Sequence, residues 1–231
     1  MNAAIVQLED AMHAAVITAI YDRYDVLKPT CPQVGARVEW ICVTDDPGLD
    51  RGDSDPLGWR IVFEPRPGLH PNRAAKHPKM RPHLYTTAPS SVWVDASFRV
   101  LSAGFVVDVL GFADPIAQFV HPWRECLFTE AEVSAPLPKY ADEPCLEQAA
   151  RYRAEGHPPR WGLWATGVIA RRHDDLVAVW GQTWLNENLN HSFQDQISHP
   201  HVCRTHGLRP AALPGNHLTN PWLRYEGSAR H

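Results

Sequence analysis

Val92 to Phe98 reads VWVDASF, and this stretch decides the fold. Valines flanking a tryptophan favour a short buried strand, and Asp95 stands immediately past its last apolar position. The same arrangement recurs upstream. Ala14 to Ile20 (AAVITAI) is a β-favouring run closed by Tyr21, Asp22 and Arg23, and Val38 to Thr44 (VEWICVT) is closed by Asp45, Asp46 and Pro47. Trp59 to Phe63 (WRIVF) is the remaining run, and Ser91 to Val94 completes the four. Three of them deliver an acidic residue to their own end. Open α/β sheets bind ligands in the crevice beyond the carboxyl ends of their strands, so a wound α/β sheet with its chemistry at that margin is expected.

Further along, helix signals take over. Asp142 can cap a segment with Pro144 in its first turn, helix formers from Leu146 to Arg153 and Gly156 as a stop. His121 to Val133 is a second helical candidate, and Leu163 to Ala170 (LWATGVIA) has the pattern of a buried strand. From Leu208 onward Pro, Gly and Asn are frequent, and a surface-wrapping tail is expected. No repeat or composition break divides the chain. One domain over residues 1–231 is expected, with a core at about 14–207 and a C-terminal segment at 208–231.

Composition narrows the function classes. With 44% hydrophobic and 21% charged residues the chain has globular proportions, and its 21 prolines imply short elements joined by shaped loops. A net charge of -4 without any Lys/Arg run gives no footprint for nucleic acid. Five cysteines without a CxxC pair suit reduced thiols, and the apolar run Ala14 to Ile20 is too short to span a bilayer. Glu9 and Asp10 stand where a signal peptide carries positive charge. A cytoplasmic protein without a membrane span is therefore expected.

The strand-end Asp95 invites a chemical reading. A single cation about 4 Å from a diphosphate supplies only about 4 kcal/mol at an effective dielectric near 20, so a departing diphosphate needs more positive charge. A divalent metal held by a carboxylate would provide it. Asp95 could equally cap the following turn, since Asp commonly bonds the backbone two residues on. Arg73, Lys76, Lys79 and Arg81 form a basic cluster before this strand, suited to phosphate or to a solvated loop.

VWVDASF resembles the strand and aspartate of a glycosyltransferase-like family that includes plant mucilage-related proteins and bacterial polysaccharide proteins. The likeness continues in order through YDRYDVLKP (Tyr21 to Pro29), VEWICVTDD (Val38 to Asp46), KMRPH (Lys79 to His83), HPWRECLFTEAE (His121 to Glu132), GLWATGVIARRH (Gly162 to His173) and QDQIS (Gln194 to Ser198). It spans most of residues 14 to 200. The resemblance implies a single-domain GT-A-like, Rossmann-related mixed sheet flanked by helices, and transfer of a hexose-like sugar from a nucleotide-sugar, UDP-sugar favoured, to an unknown acceptor hydroxyl. It further implies that Asp22, Asp45 and Asp46 meet the nucleoside, and its match at Lys79 and His83 favours these for the donor phosphates, with Arg73 of the basic cluster expected to join them by its charge. Such folds use an Asp-x-Asp pair on Mn²⁺ or Mg²⁺, whereas this chain has Asp95, Ala96, Ser97. His217, in PGNHL, is the candidate for the missing ligand.

Two segments carry open alternatives. In HSFQDQIS, Leu189, Phe193 and Ile197 would share one helical face, with Asp195 projecting toward an acceptor as base or sugar ligand; Ser192 and Asp195 also have capping-box spacing. HPHVCRTH, His199 to His206, gathers three histidines and Cys203, which would suit zinc and a metal-dependent hydrolase, although Pro200 interrupts helical register. The incomplete Asp-x-Asp keeps a second general reading in view, a non-catalytic nucleotide-sugar or carbohydrate-binding module.

Overall fold

The computed structural model describes residues 12–49 and 56–227, so the Glu9 and Asp10 pair lies outside the described residues. Four parallel strands form one half of the sheet: β1 (Met12–Ile20), β2 (Ala36–Thr44), β3 (Arg60–Phe63) and β4 (Ser90–Val94). β5 (Phe98–Val100) follows, then β6 (Ile116–Val120), β7 (Trp164–Arg172), β8 (Ala211–Leu213) and β9 (Leu223–Tyr225). Seven of these make one mixed sheet in the order β3-β2-β1-β4-β7-β6-β8, while β5 and β9 pair in a small second sheet. β7 alone runs antiparallel to its neighbours, Val94 facing Val168 and Ile116 facing Arg171. All four strands expected from the opening motif and its upstream relatives are present, within two residues at each start and ending where expected.

Alternation along the strands splits the core in two. Val16, Val92, Val94 and Ala170 face α2 (Phe105–Gly111), and Ile17, Ile41, Trp93 and Ile169 face the opposite layer. That layer contains α1 (Pro71–Met80), α5 (Asp175–Asn190) and α6 (Asp195–Thr205). α3 (Leu127–Ser134) and α4 (Cys145–Ala154) pack on α6 around Leu127, Tyr152 and Ile197. The described residues thus form an α/β structure of six α-helices about one mixed sheet, the Rossmann-related GT-A-like arrangement.

Several expectations are corrected in detail. The basic cluster is helical: His70 Nδ1 accepts the Asn72 N–H at 3.2 Å, Pro71 opens the helix with φ already set, and Pro78 is accommodated inside. His121 to Val133 becomes helical only at Leu127, because the His121 ring captures the chain before it. Leu189, Phe193 and Ile197 do not share a helix; α5 stops at Asn190, and Ser192 Oγ accepts the Gln194 N–H at 3.0 Å instead of forming a capping box. Pro200 lies inside α6. The tail does more than wrap the surface, since β8 extends the large sheet and β9 fastens to β5.

Close approach of α1 and α5 depends on Gly181. A Cβ at that position would lie 2.0 Å from the Met80 carbonyl oxygen, on a backbone that cannot swing aside like a side chain. Gly181→Ala is expected to lower stability by about 2 kcal/mol in urea denaturation, overpacking outweighing the better helix propensity of alanine.

Candidate functional site

The carboxyl ends of β1 and β4 and the start of β7 open on a cleft of about 460 Å³. Asp95 sits on its floor. The Trp93 indole N–H donates to Asp95 Oδ1 at 2.6 Å, and Lys79 Nζ donates to the same oxygen at 3.4 Å. The Asp95 N–H is fixed by the Gly167 carbonyl at 2.8 Å. A Cβ on Gly167 would lie 3.1 Å from Asp95 Oδ2 and 2.9 Å from Phe98, so the bare backbone of β7 makes room for the carboxylate. The turn role open to Asp95 is also present, its carbonyl accepting the Phe98 N–H at 2.9 Å. Its side chain nevertheless remains 38% exposed toward the cleft.

Beside it lies a buried carboxylate. Asp195, at the first position of α6, is 4% exposed. Its Oδ2 accepts from Lys76 Nζ at 2.7 Å and lies 2.8 Å from Lys79 Nζ, and its Oδ1 accepts the Thr166 hydroxyl at 2.8 Å. The two lysines meet it together because they are three residues apart on α1 and share a face. Burial alone would raise the Asp195 pKa, but Lys76 and Lys79 outweigh it and hold the group far below the carboxylate range. Burial brings the Lys76 ammonium down to about 8 against the pull of Asp195. For Lys79 burial also acts downward, yet Asp195 and Asp95 together leave its pKa raised. An acceptor base needs an unengaged carboxylate with proton affinity near neutral pH, and Asp195 has neither property.

The remaining candidates divide clearly. His217 lines the cleft, 6.0 Å from the Phe98 ring, with a buried Nδ1 that no protein group satisfies. Burial lowers its pKa, the Asp95 charge opposing, which leaves the neutral imidazole at neutral pH. Asp22, Asp45 and Asp46 lie outside the lining: Asp45 accepts the Asp22 N–H at 3.0 Å, and Asp46 pairs with Arg23 at 2.8 Å while capping Gly48. Tyr21, Tyr24 and Asp25 occupy the β1 end of the cleft in their place. Arg73 lies outside the lining as well, chelating Glu143 through two bonds of 2.9 Å and donating to the carbonyl of His191. His83 is exposed on the turn after α1 and also lies outside the lining.

Sequence reasoning missed Thr166 and Lys139. Thr166 looks like any strand residue until β7 is known to run against β4; Lys139 comes from the strap between α3 and α4, its ammonium 5.7 Å from the Tyr24 ring centroid and 5.5 Å from that of Tyr140. The histidine-rich segment does not assemble a zinc site: His199 is buried among Trp164, Trp180 and Trp184, and His201 turns toward Glu155. Among the described residues no group of three or more His, Cys, Asp or Glu side chains is placed to hold a metal.

A mixed sheet with one reversed strand, and a strand-end aspartate and lysines at a cleft beyond its edge, is the arrangement of a GT-A-like, Rossmann-related fold. The family model for the TOD1/MUCI70, glycosyltransferase-like domain matches residues 2–211, and the chain belongs to that family. No curated protein matches the chain.

Removing one partner of a buried ion pair leaves the others uncompensated, so Asp195→Asn is expected to cost about 3–5 kcal/mol in urea denaturation at pH 7. The Asp195 pKa is depressed on folding, so its contribution is full above the unfolded value and fades below it. Equilibrium unfolding at pH 3 should therefore show the gap between wild type and variant narrowed by about 1 kcal/mol.

Proposed function

We propose that the protein transfers a hexose-like sugar from a nucleotide-sugar to an acceptor hydroxyl, and that the cleft at the ends of β1 and β4 is the donor site. The observation carrying this reading is the Lys76–Asp195–Lys79 cluster beside Asp95, two ammonium groups fixed over a strand-end carboxylate. Lys79 and Lys76 would face the diphosphate as charge develops on it, preset in a poorly hydrated site where such groups act most strongly. Asp195 keeps them in place and ionised, and Asp95 orients the donor. Asp195 therefore takes a positioning role in place of the acceptor-base role. UDP-sugars remain the favoured donor class. The free thiols of all five cysteines support a cytoplasmic setting, and among the described residues no helix is long and apolar enough to cross a membrane.

The donor set can be tested against a divalent ion. Asp95 Oδ2 and His217 Nδ1 are two suitable atoms at the cleft, fewer than a resident ion requires, but Mg²⁺ is commonly bound by one or two protein groups with substrate phosphates completing its shell. These two residues fit an ion that arrives with the diphosphate. Bound there, Mn²⁺ or Mg²⁺ would act as a Lewis acid on the leaving phosphate. Calorimetry should show Mn²⁺ binding at least about tenfold tighter with UDP present than without it, a coupling of about 1.4 kcal/mol.

Asp95→Asn is expected to cut UDP release from a UDP-sugar by about a thousandfold, near 4 kcal/mol, with a far-UV spectrum unchanged. Retention of wild-type turnover would remove Asp95 from the mechanism. The alternative, a non-catalytic binding module, draws on Ala96 and Ser97 standing where Asp-x-Asp has its second acid. UDP-sugar binding by the wild-type protein without any turnover would favour the module.

A further inference from the structure

A second groove, of about 700 Å³, adjoins the cleft. It runs between the 121–126 loop, α3, and the C-terminal end of α4 with the loop behind it, and His121, Trp123 and Arg124 line both spaces. Trp123 is the wall between them. Its side chain is exposed, the residue retaining 67% of its free surface, which is unusual for the largest apolar side chain in a protein with buried tryptophans elsewhere.

This exposure is not looseness. His121 is buried, and its Nδ1 accepts the N–H groups of both Trp123 and Arg124, at 3.3 and 3.0 Å. Burial lowers the His121 pKa to about 4, so the ring is neutral and that acceptor nitrogen persists at neutral pH. The loop is anchored again by Arg124 bonding to the buried Glu130 of α3. A rigid loop therefore presents an indole to solvent at the junction of two cavities. An aromatic face bordered by planar polar groups is the surface that stacks on a sugar ring and hydrogen-bonds its hydroxyls.

The charge of the groove selects among sugars. Arg124 is matched by Glu130, and Arg160 by Glu125 at 3.2 Å. Arg153 lies over the Phe128 ring at 4.2 Å, and Glu132 contributes one negative charge to the same lining. Three arginines and two glutamates line the groove, and the buried Glu130 behind Arg124 supplies a third negative charge, so the groove attracts neither a polyanion nor a polycation.

We propose that this groove is the acceptor site and takes a neutral oligosaccharide, with the sugar nearest the cleft stacked on Trp123. Calling the ligand an acceptor rests on the transferase reading; the binding itself does not. Calorimetry without nucleotide, using neutral hexasaccharides of β-1,4-glucan, β-1,3-glucan, β-1,4-xylan and α-1,4-glucan type, is expected to show at least one binding about tenfold tighter than its disaccharide, because the groove holds several rings. Trp123→Ala should weaken that hexasaccharide about tenfold and Trp123→Tyr should restore most of the loss, since a flat aromatic face is what matters. Raising salt should leave the affinity within about twofold. Absence of binding by every hexasaccharide, preference for an anionic hexagalacturonide, or a Trp123→Ala affinity equal to wild type would overturn the proposal. UDP-sugar binding is followed separately by thermal shift on the wild-type protein. Its failure alongside hexasaccharide binding would remove the acceptor assignment and the transferase reading while leaving a carbohydrate groove at Trp123.

Discussion

A carboxylate taken out of water stays charged only where other groups replace its hydration, and Asp195 is held by three: Lys76, Lys79 and Thr166. That requirement ties together elements far apart in the chain. α1 must present two lysines on one face, β7 must run antiparallel so that Thr166 points at the same oxygen pair, and α6 must begin at Asp195. The same lysine that satisfies Asp195 also reaches Asp95, so the buried acid and the cleft acid are parts of one charge arrangement.

Much of the frame was legible because it rests on local pattern. The runs ending at Ile20, Thr44, Phe63 and Val94 are β-branched and apolar, and each formed a parallel strand. Lys79, Asp95, Asp195 and His217 could be singled out and lie together in the cleft. What could not be read was direction and partnership. Asp45 and Asp46 follow a strand as Asp95 does, yet they bond the loop after β1, because β2 lies one strand farther from the cleft; Asp22 follows β1 itself, but the turn there offers its N–H to Asp45 and brings Tyr21, Tyr24 and Asp25 to the cleft. Arg73 and Lys76 stand one turn apart along one helix, but the first meets Glu143, ahead of α4, and the second meets Asp195, at the start of α6. Phe193 sits in a loop stacked on His70, a contact between residues distant in sequence.

The packing behind the site is set by absent side chains as much as by present ones. Gly181 admits the α1 backbone to α5, and Gly167 admits Asp95 to β7. Buried tryptophans, Trp180 and Trp184, fill the layer behind α6 and surround His199, which burial lowers to about 3 and keeps neutral. A neutral histidine there adds no third positive charge to the two lysines that Asp195 and Asp95 together balance.

The Lys76–Asp195–Lys79 cluster also bears on how the proposed donor site would empty. Before any ligand arrives, Asp195 already engages both ammonium groups. A dianion bound there would share the two lysines with an internal rival fixed at very high local concentration. On the proposed transferase reading, Asp195 would thus act as a built-in counter-ion that shortens the stay of a spent diphosphate and favours vacating the cleft.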